Sequence, residues 1–375
     1  MKIDELLLHT VSMPLVSPFT TSFGTQLQRT AVILELHART EDGTPVTGWG
    51  ECVAMVEPLY SSEYAAGARQ VIADFLLPLL TSADNITAET VNHRLRPIVG
   101  HRMAKAALEM AVLDAQLRAL GISLGSYLGA VRDAVPSGVS IGIQPTDDQL
   151  LDVVQGYLDQ GYVRIKLKIE PGRDIAPVRA VRERFGDDLL LQVDANAAYT
   201  LVDAPLLRRL DEFNLLLIEQ PLGEEDLRQH AELARQMRTP MCLDESIVST
   251  EAAADAIMLG AAAVINIKPG RVGGYLEARR IHDLARAHGV AVWCGGMIET
   301  GIGRAANAAL AALPGFTLPG DISGSDRFYR TDLTEPIVVK DGHVAVPTGP
   351  GLGVEPIPEA LAEFTIQTSR VPAGS

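Results

Sequence analysis

Five short apolar runs, each closing on a charged residue and each followed by a polar, helix-like stretch, predict an α/β chain. RIKLK ends at Lys168, LLLQVD at Asp194, LLLIE at Glu219, MCLD at Asp244 and VINIK at Lys268, at intervals of 26, 25, 25 and 24 residues. Strands and helices alternating at this period are parallel, and about eight such units close a modified (β/α)8 TIM-type barrel. Counting from SGVSIGI (137–143) gives seven strands, with FTLPGD (316–321) as the expected eighth. An open doubly wound sheet is the competing architecture. The even spacing and the charge at successive strand ends favour the barrel.

Ahead of the barrel the order of elements is different. Residues 3–16 and 30–40 read as strands, and VTGWGECV (46–53) follows a turn at Glu41-Asp42-Gly43-Thr44. Between the first two lies SPFTTSFGTQ (17–26), with Phe19 and Phe23. It is longer than an ordinary hairpin loop, so a mobile lid is expected there. AMVEPLYSS (54–62) is a second candidate loop, with Met55 and Tyr60 placed to line a pocket. From Ser62 to Leu128 the pattern turns helical, most clearly in HRMAKAALEMAVLDAQLRAL (101–120). Strands followed by helices describe an α+β capping domain over residues 1–130. The barrel then spans 131–324. The remaining segment, 325–375, carries a strand–turn–strand pattern about Asp341-Gly342 and is expected to return to the cap and complete it.

Composition excludes several function classes. A net charge of −15 over 375 residues repels nucleic acid and anionic membranes. No apolar run is long enough to span a bilayer, and the first residues lack the basic start of a signal peptide. Cys52, Cys242 and Cys294 are widely spaced and form no CxxC pair. A reduced, cytoplasmic protein without structural disulfides is expected.

The functional face of such a barrel is the C-terminal end of its strands. Asp194, Glu219 and Asp244 come together there from three neighbouring strands. Three carboxylates in a partly dry mouth repel one another, and a hard divalent cation removes that cost. Oxygen-only ligands point to Mg²⁺, with Mn²⁺ or Co²⁺ able to substitute. The competing explanation is that each acid caps the next helix. Lys168 ends the second strand and Lys268 the sixth, half a turn apart in an eight-fold barrel. They therefore face each other across the mouth, as an acid/base pair or as counterions to the acids. Lys166 shares the face of Lys168, and its like charge is expected to favour the neutral base. A carboxylate substrate on the metal, losing or gaining its α-proton between two lysines, is the chemistry that fits. The stretch GGMIETGIGR (295–304) offers a helix N-terminus to a second anionic group, and Gly296, Met297 and Ile298 are placed to contact substrate. Ser140, on the first strand, is another expected contact.

The motifs KLK (166–168), DAN (194–196), EQP (219–221), DES (244–246), NIKPGRVGG (266–274) and WCGGMIETGIGR (293–304) give the chain a specific resemblance. It resembles the enolase superfamily, one of the textbook users of a Lys base with Mg²⁺. Within it, the chain is similar to the N-acylamino acid racemase and o-succinylbenzoate synthase family of the muconate lactonizing subgroup. The likeness spans essentially the whole chain. It implies Asp194, Glu219 and Asp244 as metal ligands, Lys168 and Lys268 as acid/base residues, and Asn196 and Glu245 as their supports. It also implies specificity loops at 17–26 and 54–62, and a homo-oligomer. Mandelate racemase-like enzymes use a His–Asp pair, but here the seventh strand ends Cys294-Gly295-Gly296. Dipeptide epimerases carry Asp-x-Asp on the last strand, where this chain reads Asp321-Ile322-Ser323. An N-acylated amino acid, with no ammonium group to anchor, fits that difference. Racemisation and dehydration to o-succinylbenzoate both remain open.

Overall fold

Glycine and proline decide how the N-terminal sheet of the computed structural model is built; residues 1–22, 24–82 and 85–373 are described. β1 (Lys2–Thr21), β2 (Gly24–Arg39) and β3 (Pro45–Cys52) form an antiparallel meander. In β3, Gly48 and Gly50 alternate with the side chain of Trp49, which leaves one face bare. Helix α1 (Arg102–Leu120) lies directly on that face. A Cβ on Gly48 would come 2.1 Å from the Ala111 carbonyl, and one on Gly50 2.2 Å from that of Ala107. No larger residue fits this approach.

The stretch 17–26, expected as a loop, instead contributes its described residues to the two paired strands of a long hairpin. Pairing of β1 with β2 continues to Thr21↔Gly24, with a register shift between Pro14 and Phe19. Pro14 and Pro18 lack the N–H that a regular ladder needs, so the stretch reads as a loop although it is a strand carrying a bulge. Phe19 sits on β1 and Phe23 lies outside the described residues. The tip is anchored on the barrel, because Ile143 N–H donates to the Thr20 carbonyl at 3.1 Å. Phe19 also meets Phe328 edge-on, with ring centroids 6.1 Å apart.

After β4 (Ala134–Pro136) come seven parallel strands: β5 (Gly138–Ile141), β6 (Arg164–Lys168), β7 (Leu190–Asp194), β8 (Ile218–Glu219), β9 (Met241–Leu243), β10 (Val264–Ile267) and β11 (Ala291–Cys294). They neighbour one another in chain order, without the reversal of order that marks a doubly wound sheet. The eighth strand expected at 316–321 is absent as a strand. That segment makes single bridges, Val292↔Phe316 on one edge of the curled sheet and Ser137↔Gly320 on the other. Pro319, without an N–H, interrupts any ladder there.

The crossover helices include α2 (Asp147–Asp159), α3 (Ile175–Phe185), α4 (Leu227–Gln236), α5 (Thr250–Leu259), α6 (Tyr275–Ala287) and α7 (Gly301–Ala311). The connection after β7 is less regular, a short helix Ala204–Leu207 followed by a 3-10 stretch Arg208–Phe213. Thr146, Asp174, Asp226, Ser249 and Thr300 cap α2, α3, α4, α5 and α7 with their side chains.

In the tail, β12 (Val339–Lys340) pairs with β13 (His343–Ala345), and β13 pairs with β4 rather than with the cap sheet, contrary to expectation. The return to the cap is made further on. β14 (Thr365–Pro372) runs antiparallel to β1 and completes the order β14–β1–β2–β3. One continuous apolar core joins cap and barrel. Among the described residues no helix is long and apolar enough to cross a membrane.

Candidate active site

The five charged residues that organise the sequence stand side by side at the C-terminal rim. Lys168 pairs in register with Asp194, and Asp194 with Glu219. Asp244 and Lys268 follow immediately after β9 and β10. Glu219 and Asp244 are fully buried, Asp194 is 1% exposed and Lys268 6%. None of the three acids caps a helix, since Asp226 and Ser249 do so after β8 and β9. The capping explanation is thereby removed for Glu219 and Asp244. Asp194 Oδ1 accepts instead from Asn196 N–H at 3.0 Å.

Two groups of contacts divide the rim. Lys168 Nζ donates to Asp194 Oδ2 at 2.6 Å and to Asn196 Oδ1 at 2.7 Å. Asn196 Nδ2 passes the chain on to Glu245 Oε1 at 3.0 Å. Opposite, Lys268 Nζ donates to Asp244 Oδ2 at 2.8 Å and to the Tyr60 hydroxyl at 3.1 Å, and Arg271 also binds Asp244. Lys166 lies beneath, 2.6 Å from Asp321, 3.1 Å from Glu219 and 3.3 Å from Asp194. The simple repulsion expected between Lys166 and Lys168 leaves out these three carboxylates. Asn266 Nδ2 donates to Glu219 Oε1 at 2.7 Å.

Charge compensation governs these groups. Burial opposes ionisation of Asp194, but Lys168 and Lys166 outweigh it and hold the carboxyl well below the usual range. Burial raises Glu219, and the neighbouring Asp194 adds to the effect. Glu245 is pushed up to about 7 by burial and then by Asp194. Burial works against the ammonium groups of Lys166 and Lys268, yet the negative groups around them hold both above the ordinary lysine value.

Among the described residues, no three His, Cys, Asp or Glu side chains are grouped to enclose a metal ion as they stand. Asp194 and Glu219 meet at Lys166, whereas Asp244 turns to Lys268 and Arg271. The donor chemistry nonetheless fits a hard divalent cation: three buried carboxylates at consecutive strand ends, oxygen only. Glu245 Oε2, buried and without a hydrogen-bond partner among the described residues, adds another oxygen at the same rim.

Lys168 and Lys268 line one cavity of about 60 Å³ together with Phe19, Met55, Tyr60 and Asn196. Gly296, Met297 and Ile298 close it. A larger concavity, about 930 Å³, runs along the cap sheet and includes none of these side chains. Ser140 lies on β5 beside Lys166, outside the cavity lining, with its carbonyl accepting from Arg327. The helix N-terminus offered to a substrate anion is already filled. Glu51 takes the amides of Thr300 and Gly303, and Asp332 takes that of Gly301. Residues 51 and 332 are remote in sequence from 300, so nothing local announced them.

Sequence reasoning also gave no role to Asn266, Arg271 and Arg29, and named Asp321 only as the acid on the last strand without its lysine partner. Asn266 sits two residues before Lys268, and strand alternation would have put it on the same face. Asp321 closes the FTLPGD run just as the other acids close theirs. Arg29, 2% exposed and lining the cavity, had no sequence signal.

Comparison with known proteins agrees with this fold. Residues 3–129 match the mandelate racemase / muconate lactonizing enzyme, N-terminal domain, and residues 149–360 match the enolase C-terminal domain-like family. An N-succinylamino acid racemase of Amycolatopsis sp is 67% identical over 375 residues, covering 100% of both chains. An o-succinylbenzoate synthase of Geobacillus stearothermophilus is 47% identical over 94% of this chain and 93% of its own. A solved enolase-superfamily member from Listeria innocua superposes with a TM-score of 0.94 at 40% identity, over 100% of both chains. The chain belongs to the enolase superfamily, in the mandelate racemase and muconate lactonizing enzyme family.

Proposed function

We propose that the chain is an N-acylamino acid racemase, acting on N-succinyl and N-acetyl amino acids by 1,1-proton transfer. The observation that carries this reading is the shared cavity, which Lys168 and Lys268 enter from strand ends four places apart in the sheet. A substrate α-carbon between them has an amine on each side. Lys168 takes the proton from one enantiomer while Lys268 returns one to the opposite face, and the roles exchange for the other enantiomer. Asn196 orients Lys168, Glu245 orients Asn196, and Lys166 holds Asp194 and Glu219 together. Phe19, Met55 and Met297 exclude water from the reacting carbon.

Asp194, Glu219 and Asp244 would hold Mg²⁺, or Mn²⁺ or Co²⁺ in its place, which when bound neutralises the charge developing on the substrate carboxylate. The division into a cap over 1–130, a barrel over 131–324 and a returning segment over 325–375 belongs to the same reading. So do a homo-oligomeric assembly and a cytoplasmic location, the latter supported by three cysteines that are all free and buried.

The 67% identity to a protein named for N-succinylamino acid racemisation supports the reading. A second reading, o-succinylbenzoate synthesis, is favoured by relatives of that name at 44–47% identity. Dehydration needs one lysine to remove a proton, and racemisation needs two. Incubating one enantiomer of an N-succinylamino acid with the protein and Mg²⁺ in D₂O is the test. α-Deuterium together with loss of optical activity is the expected result. Neither, across several side chains, would sink the racemase reading, and a parallel assay of dehydration decides the synthase.

A further inference from the structure

We infer that Glu51 is a positioning residue for the reaction, reaching from the cap to set the loop 295–300 that closes the cavity; the inference rests on the function proposed above. Glu51 stands near the end of β3 and is 3% exposed. Its Oε1 accepts from Thr300 N–H at 3.0 Å, and its Oε2 from Thr300 Oγ1 at 2.8 Å and Gly303 N–H at 2.9 Å. With Asp332 on Gly301 N–H at 2.8 Å, carboxylates from two distant segments take the Gly301 and Gly303 amides of α7, and the Thr300 hydroxyl takes that of Ile302.

The loop held in this way is strained. Ile298, two residues before Thr300, has φ 56°. A β-branched residue in the left-handed region is a genuine outlier, and it persists only where its surroundings over-determine it. Arg304 Nη2 on the Glu299 carbonyl at 2.6 Å and Asn307 Nδ2 on Glu299 Oε1 at 2.9 Å help to do so, and three further contacts act with them. The Tyr329 hydroxyl donates to the Ile298 carbonyl at 2.7 Å, and Met297 N–H donates to Glu299 Oε2 at 2.9 Å. Glu51 supplies the third, and it alone of the three comes from the strand meander of the cap.

Gly303 fits the same arrangement. A Cβ there would lie 2.8 Å from both Glu299 Cγ and Glu51 Oε2, so the helix has been left bare where the two side chains enter. Phe19, Met55 and Tyr60 from the cap form one wall of the cavity, and Gly296, Met297 and Ile298 from the barrel form another. Glu51 ties the second wall to the first. It touches no reacting atom and acts through the loop.

Glu51→Gln tests this, because an amide has one acceptor oxygen where three donors converge on two. Loss of one of the bonds to Thr300 and Gly303 should raise KM for N-succinylamino acids with large side chains about tenfold, with kcat within about threefold. Hydrogen exchange of the Met297, Thr300 and Gly303 amides should quicken about tenfold or more, measured without substrate. A folded variant with a lower Tm but unchanged exchange over 297–303 and unchanged substrate ranking would overturn the inference. Should Glu51→Gln fail to fold, Thr300→Ala removes one donor to the same carboxylate and Thr300→Ser restores it. Faster exchange in the first and recovery in the second are expected, and equal exchange in both would overturn the inference. If the wild type racemises no N-acylamino acid, the proposed function fails, while the exchange measurement still decides whether Glu51 holds the loop.

Discussion

Lys166 Nζ lies 2.6 Å from Asp321 Oδ2, a buried ion pair between the second barrel strand and the segment that stands where an eighth would be. Arg164 reaches the same carboxylate at 2.8 Å. Burial opposes the charge on Asp321, but Lys166 and Arg164 outweigh it and hold the carboxyl well below the usual range. The pair closes the barrel electrostatically where the hydrogen-bond ladder does not.

Asp321→Asn should therefore be severe. It leaves Arg164 and Lys166 buried with less compensation, and breaking such a pair costs about 3–5 kcal/mol. Urea unfolding should show that loss, with a lower kcat because Lys166 is drawn further onto Glu219 and Asp194. Stability equal to the wild type would mean the pair does not form.

Lys168→Ala and Lys268→Ala should each lower racemisation by about a thousandfold or more, because each removes one proton carrier. The two variants should differ in α-proton exchange. Each should still exchange the enantiomer whose proton faces the remaining lysine, read by NMR in D₂O. Full racemisation by either variant would refute the two-base assignment.

Chelation should remove activity, and added Mg²⁺, Mn²⁺ or Co²⁺ should restore it. The cation binds the folded chain, so it should also raise Tm in proportion to the logarithm of its concentration. Asp244→Asn should weaken both effects together. A Tm and an activity insensitive to chelator in the wild type would remove the metal from the mechanism.

Glu109 gives a pH dependence. Its oxygens accept from Tyr275 N–H and Leu276 N–H at 2.9 Å each, at the start of α6. Burial pushes it up to about 7; the two amides and Arg280 oppose the rise, and Glu277 adds to it. Between the ordinary value of 4.5 and about 7 the folded chain therefore holds a proton that the unfolded chain has lost. Stability must fall as pH rises through that window and level off above it. The loss attributable to Glu109 is on the order of 3 kcal/mol. Glu109→Gln should flatten this slope, measured by denaturation at about pH 5 and about pH 8. A slope as steep as the wild type's would exclude Glu109 as its source.

What the sequence determined was everything encoded locally. The apolar runs and their spacing fixed parallel strands in chain order, and a charged residue at each strand end can only emerge at one rim. Lys168, Asp194, Glu219, Asp244 and Lys268 were legible for that reason. Local signals misled at 17–26, whose described residues belong to two paired strands, and where FTLPGD looked like a complete eighth strand. The tertiary structure alone decided the partners: Lys166 with Asp321, Lys268 with Tyr60, and Glu51 with Thr300, which are 155, 208 and 249 residues apart. Such pairs are chosen by how cap and barrel pack. Their energy comes from excluding water between segments with no period or motif in common, so no stretch of sequence carries their signature.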